Sequence, residues 1–81
     1  MSDDKIETAL RLELRKIAPD VEIEDIDREG DLREEFDIDS MDFLNLVSAL
    51  SKSLGVAMPE EDYSEMGSYD AMLVYLRAHT G

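Results

Sequence analysis

Four segments of the chain place apolar residues at helical spacing, and the stretches between them do not. In residues 3–17, Ile6, Leu10, Leu14 and Ile17 recur at steps of four, four and three, which draws one stripe down a helix. Asp3, Asp4 and Glu7 lie in its first turns and Arg15 and Lys16 in its last, the order the helix dipole favours, and Pro19 ends it. A second helix is expected over 40–54, with Asp39 as N-cap, Asp42 three residues on, and Gly55 as the stop. Its apolar positions make more than one stripe. Leu46, Val47, Leu50 and Leu54 form a core face, while Met41 and Leu44 fall partly off it and should leave apolar surface near the helix start. A short helix over 59–65 opens at Pro59, with Glu60, Glu61 and Asp62 behind it. Ser68 then caps a last helix over 69–79, whose stripe is Tyr69, Met72, Leu73 and Leu76.

Residues 18–39 form a connection too long to be idle in a compact domain. Val21, Ile23, Ile26, Leu32, Phe36 and Ile38 are scattered through it and can pin it to a core. "VEIEDI" is the one alternating run, but its charge and the nearby Gly30 make it a poor strand. The expected fold is all-α: a small up-down bundle of three main helices plus one short helix, with a long loop between the first two. Residues 1–81 are expected to be one domain of this kind.

A chain of this length buries roughly 60–65% of its unfolded surface, which leaves little room for a deep cleft. The absence of Cys removes disulfide and thiolate chemistry. The longest apolar run, "AMLVYL", is too short to span a bilayer, and "MSDDK" does not resemble a signal peptide, so a cytoplasmic location is expected. Charge changes the picture more. Lys and Arg number 8 against 21 Asp and Glu, a net of −13, and residues 20–42 alone hold twelve acids and two arginines. Such a field repels nucleic acid and anionic membrane and attracts proteins with basic patches. Solubility alone is the plainer account of an acidic chain, but here the charge gathers around one serine, Ser40.

Three readings of that region compete. "DIDREGDLREEF", residues 25–36, has the early acids and the glycine of a calcium-binding EF-hand loop, but Phe36 stands where its last, bidentate Glu belongs and Arg33 where a ligand or water belongs. No metal ligands are assigned. A nucleophilic Ser40 would need a base, and the one histidine, His79, lies two residues from the C-terminus; there is no G-x-S-x-G elbow and no Gly-rich phosphate loop, so no residue is assigned to catalysis. Ser40 could also be only part of a helix cap.

The neighbours favour a fourth reading. "FDIDSMD", opening an apolar helix, resembles the attachment motif of acyl carrier proteins, and the resemblance runs through "LREEF" before the serine, "LNLVSAL" after it, "VAMPEEDYSEM" and "SYDAMLVYL". The resemblance implies that Ser40, flanked by Asp39 and Met41, carries 4′-phosphopantetheine, transferred from coenzyme A by a phosphopantetheinyl transferase. It implies a non-catalytic monomer presenting acyl thioesters to acyl-transferring, condensing or acyl-activating enzymes of fatty-acid, lipid or polyketide-type biosynthesis. Glu34, Glu35, Asp37, Asp39 and Asp42, with the apolar Met41 and Leu44, would dock the basic patches of those partners. Leu32, Phe36, Phe43, Leu50, Tyr63, Met66 and Leu73 would wall an acyl pocket.

The chain departs from that pattern at several positions. Asn45, Ser51, Lys52 and Ser53 stand where the second helix of fatty-acid carriers is rich in Glu, Asp37-Ile38 replaces a frequent Gly-Ala, and Tyr63 replaces a small residue. Asp tolerates the left-handed backbone that Gly would serve. These departures point to a specialised member. A D-alanyl, aminoacyl or aryl carrier is the nearest alternative, and an acidic interaction domain that is never modified is the alternative of a different class.

Overall fold

In the computed structural model, which describes residues 3–80, the four expected helical segments form almost where the periodicity puts them. Helix α1 (Asp3–Ile17) buries Ile6, Leu10 and Leu14 along one face, with Ile17 half-buried. Helix α2 (Leu32–Glu35) is a single turn inside the long connection. Helix α3 (Ser40–Leu54) starts at an Asp39 cap, whose carboxylate accepts the Asp42 amide at 2.9 Å. It buries Leu46, Val47 and Leu50, while Leu54 stays half-buried. A 3-10 helix spans Glu60–Met66, and α4 (Tyr69–His79) begins at Ser68, whose hydroxyl accepts the Ala71 amide. The α4 stripe is buried as expected, and Tyr75 joins it because its hydroxyl finds the Ala57 carbonyl at 3.2 Å and the Asp62 carboxylate at 2.7 Å. α1 packs against α3 and α4, and α4 against the 3-10 helix. The fold is all-α; among the described residues the β-pairing amounts to one isolated bridge, Asp31 to Ser68. The radius of gyration, 11.4 Å, matches the ~11.7 Å expected of a compact chain this long.

Two details depart from the sequence reading. The 59–65 segment adopts 3-10 rather than α geometry and starts one residue later, with Pro59 just outside it and the Asp62 amide bonded to the Pro59 carbonyl. The long connection is also more structured than a loop. It contains a 3-10 turn (Ile23–Asp25) as well as α2, and each is too short to show a period. Ile23, Leu32, Phe36 and Ile38 are buried, and Val21 and Ile26 pack against the core from its edge.

The last turn of that connection aims the chain into α3. The Asp37 amide bonds the Glu34 carbonyl and the Ile38 amide bonds the Arg33 carbonyl, the paired bonds of a Schellman turn, with Asp37 in the left-handed conformation at φ 53°. Ile38 then drops into the core beside the chain reversal. A related left-handed turn ends α3, where Gly55 sits at φ 66°, the Gly55 and Val56 amides both reach the Ser51 carbonyl, and Val56 is buried.

Candidate functional site

Ser40 is the first residue of α3 and is exposed. The first amides of a helix have no partner in its own ladder. Here Asp39 occupies the Asp42 amide, and the Phe43 amide already bonds the Asp39 carbonyl. The amides of Ser40 and Met41 are therefore the helix-end donors that neither the ladder nor the cap takes up. They lie at the positive end of the α3 dipole, where an anion is favoured.

Two cavities meet at Ser40. The larger, about 480 Å³, is lined by the apolar or aromatic Leu32, Phe43, Leu44 and Tyr63 and by Asp31, Arg33, Glu60, Ser64 and Gly67. Its volume falls in the range of small-molecule sites, roughly 300–1,000 Å³. The smaller, about 330 Å³, is lined chiefly by acids: Asp31, Glu34, Asp37 and Asp39, with Arg33 and Ile38. The apolar surface expected near the helix start is present, with Met41 65% and Leu44 44% exposed.

The residues singled out from the sequence divide cleanly. Ser40, Asp39, Asp37, Glu34 and Asp42 surround the start of α3 together with Met41 and Leu44. Glu35 does not point its charge outward in the same way. Its carboxylate accepts the Asp27 amide at 2.8 Å and lies so close to Gly30 that a Cβ there would stand 3.0 Å from the carboxylate oxygen. Glu35 therefore closes the loop on itself. Of the seven pocket candidates, Leu32, Phe43 and Tyr63 line the larger cavity, whereas Phe36, Leu50, Met66 and Leu73 are sealed in the core at 0–2% exposure and line none of the cavities that reach Ser40.

Arg33, Glu60, Ser64 and Gly67 also line the larger cavity and carried no signal under an α-helical reading. Glu60 and Tyr63 stand three apart in the 3-10 helix, which eclipses them, and both line this cavity. The calcium-like run is used for backbone capping: Asp27 accepts the Glu29 amide and Asp31 the Arg33 amide. Among the described residues, no group of three acids or histidines converges as a metal site would require. His79 is engaged at the far end of α4, stacked on Tyr75 at 4.1 Å with Nδ1 2.8 Å from the Tyr75 carbonyl. Among the described residues no helix is long and apolar enough to cross a membrane.

An exposed serine opening an apolar helix, acids on the preceding loop and a four-helix all-α core together make one recognisable arrangement. Residues 5–76 match the phosphopantetheine attachment site family, and the chain belongs to that family, whose members carry a 4′-phosphopantetheine prosthetic group.

Proposed function

We propose that this protein is an acyl carrier in which Ser40 bears the 4′-phosphopantetheine and residues 1–81 act as one carrier domain without catalysis of its own. The observation that carries this reading is Ser40 itself: an exposed hydroxyl on the first turn of α3, opening onto a cavity of about 480 Å³. The residues there suit the group. A phosphodiester on Ser40 would meet the helix-end amides of Ser40 and Met41, with Asp39 holding that turn in shape. When bound, the group supplies the thiol on which acyl thioesters are carried.

The rest of the chemistry belongs to partners, and this chain's surface selects them. Glu34, Asp37, Asp39 and Asp42 offer negative charge around the tether, and Met41 and Leu44 offer apolar contact. Basic surfaces on a phosphopantetheinyl transferase and on acyl-transferring or condensing enzymes are steered by such a field. Further along α3 the exposed Asn45 and Lys52 withhold the negative charge that a housekeeping fatty-acid enzyme expects, which favours a specialised set of partners in the cytoplasm. An aminoacyl or aryl carrier is the second reading, favoured by the aromatic and polar lining of the cavity, Phe43, Tyr63, Ser64 and Glu60.

The test is intact mass after incubation with coenzyme A and a broad-specificity phosphopantetheinyl transferase. Wild type should gain one phosphopantetheine and Ser40→Ala none. Equal labelling of the Ala variant, or no labelling of wild type, would overturn the assignment.

A further inference from the structure

We infer that the group carried on Ser40 rests outside the hydrophobic core, in the groove beside the serine, and that Phe43 and Tyr63 are the specificity-determining pair that keeps it there. This rests on the reading of Ser40 as the attachment residue. The groove begins at Ser40, so a tethered group reaches it directly. Phe43 and Tyr63 both line it and meet edge to face, with ring centroids 5.6 Å apart and planes at 87°, a geometry that attracts beyond the area it buries.

Both rings are half-buried and pack against the core cluster, so the pair forms the wall between groove and interior. Leu50, Met66 and Leu73, at 0–1% exposure, contribute nothing to the groove. Interiors are packed like organic crystals, and added methylenes force neighbours off their rotamers. An alkyl chain turning inward between Phe43 and Tyr63 would have to part the aromatic pair.

The lining then names the class of cargo. The groove is lined by apolar groups, Leu32 and Leu44 with the Phe43 ring, and by polar ones, Asp31, Arg33, Glu60 and Ser64. A short acyl or aryl group bearing a polar substituent satisfies both kinds of lining. A long alkyl chain would set methylenes against the polar groups and water, which is unfavourable in proportion to the apolar area so exposed.

The experiment loads the full chain with acetyl, hexanoyl or decanoyl arms from the matching acyl-coenzyme A and a broad-specificity transferase. Intact mass reports loading first: a wild-type chain that takes up no arm removes the attachment reading and this inference with it. On loaded protein, carbon-13 methyl spectra follow Met66, Leu50 and Leu73. Their resonances should be the same for all three loads in wild type, while those of Leu44 and Leu32 move. In Tyr63→Ser, and in the milder Phe43→Leu, the core methyls should shift with chain length, and decanoyl thioester should hydrolyse at least threefold more slowly than on wild type. Decanoyl-dependent shifts of Met66 and Leu73 in wild type would overturn the inference. So would folded variants, both loaded, whose core methyls stay indifferent to chain length.

Discussion

Arg28 and Arg33 stand five residues apart in the acidic segment and end in opposite surroundings. Arg28 bonds Asp70 at 2.8 Å, lies 3.8 Å from Glu7, and covers the Tyr69 ring at 4.7 Å. The Tyr69 hydroxyl donates to Glu7 at 2.7 Å, and Arg11 joins Glu7 to Glu24. That cluster ties α1, the long connection and α4 together. Among the described residues Arg33 is paired with Asp31 alone, at 3.9 Å, and it is half-exposed beside Ser40. Among the described residues, Glu34, Asp37, Asp39 and Asp42 form no ion pair at all. One acidic region is neutralised from within and works as a fastener. The other is left open, so its field remains available to a partner's basic surface.

Breaking the fastener should have the largest effect. Tyr69→Phe keeps the buried ring but removes the bond to Glu7, and a hydrogen bond to a charged group is worth about 1.5–3 kcal/mol. In a domain of this size that corresponds to a fall in melting temperature of roughly 6–24 °C. The pH dependence gives an independent reading. Burial, reinforced by Glu7, pushes the Tyr69 phenol up from its ordinary 10 to about 12. A raised value means the folded state holds the proton more tightly, so this stability is complete below pH 10 and is lost as the pH climbs through about 12. Tyr75 behaves likewise, through burial and Asp62. Glu7 is displaced the other way, held below the ordinary carboxyl range chiefly by the Tyr69 hydroxyl; its contribution is present above about 4.5 and fades as the pH falls. Tyr69→Phe should therefore flatten the acid arm of the stability curve and shrink the alkaline arm to the part due to Tyr75. Thermal melts from pH 3 to 12 would check this, and an unchanged curve would show that the cluster contributes nothing.

How visible each region was beforehand follows from physics. The helices were legible because burial imposes a period: Leu10, Leu14, Leu50 and Leu73 mark their faces by spacing alone. Caps were legible because Asp39, Ser68 and Gly55 are residue types with a local geometric reason to sit there. Asp37 was half-legible, since Asp is one of the few residues that tolerate left-handed backbone, yet the Schellman bonds it completes involve main-chain atoms of any sequence. The pairing of acids with arginines was not legible. Glu7, Arg28 and Asp70 are brought together only by the tertiary fold, and nothing local distinguishes Arg28 from Arg33. For the same reason the split between groove and core among Leu32, Phe43, Tyr63, Leu50, Met66 and Leu73 had to await the packing.

A middling effect is expected where the open region meets α3. Asp39 is its N-cap, and replacing such a cap with Ala costs about 1 kcal/mol, or roughly 4–8 °C here. Asp39→Asn should recover most of that loss, because the amide oxygen still accepts from Asp42, while it removes one charge from the docking field. Melting curves and transferase kinetics on the two variants then separate geometry from charge. If Asn rescues both stability and transferase kcat/KM, Asp39 acts as a cap alone. If it rescues only stability, the charge serves the partner as well.

The smallest effect sharpens the comparison most, because salt acts on the two regions with opposite sign. Between 0.01 and 0.15 M the Debye length falls from about 30 Å to about 8 Å, so both repulsion among unpaired acids and attraction within exposed pairs weaken. Unpaired acids outnumber bridged ones around Ser40, so wild type should gain stability with salt, by about half a kcal/mol given that exposed charge interactions are worth ~0.2–1 kcal/mol each. Replacing Glu34, Asp37 and Asp42 by their amides removes three of the repelling charges and leaves the Arg28 cluster intact. The salt response should then shrink, because fewer unpaired acids are left to repel while the paired region is screened as before. Arg28→Gln should do the converse and steepen the gain, since it frees Asp70 and leaves Glu7 with Arg11 as its one arginine among the described residues. Melting temperatures at a few sodium chloride concentrations read both slopes. Identical slopes for the triple variant and wild type would mean that the acids around Ser40 lie too far apart to feel one another, and that leaving them unpaired does not weaken the fold.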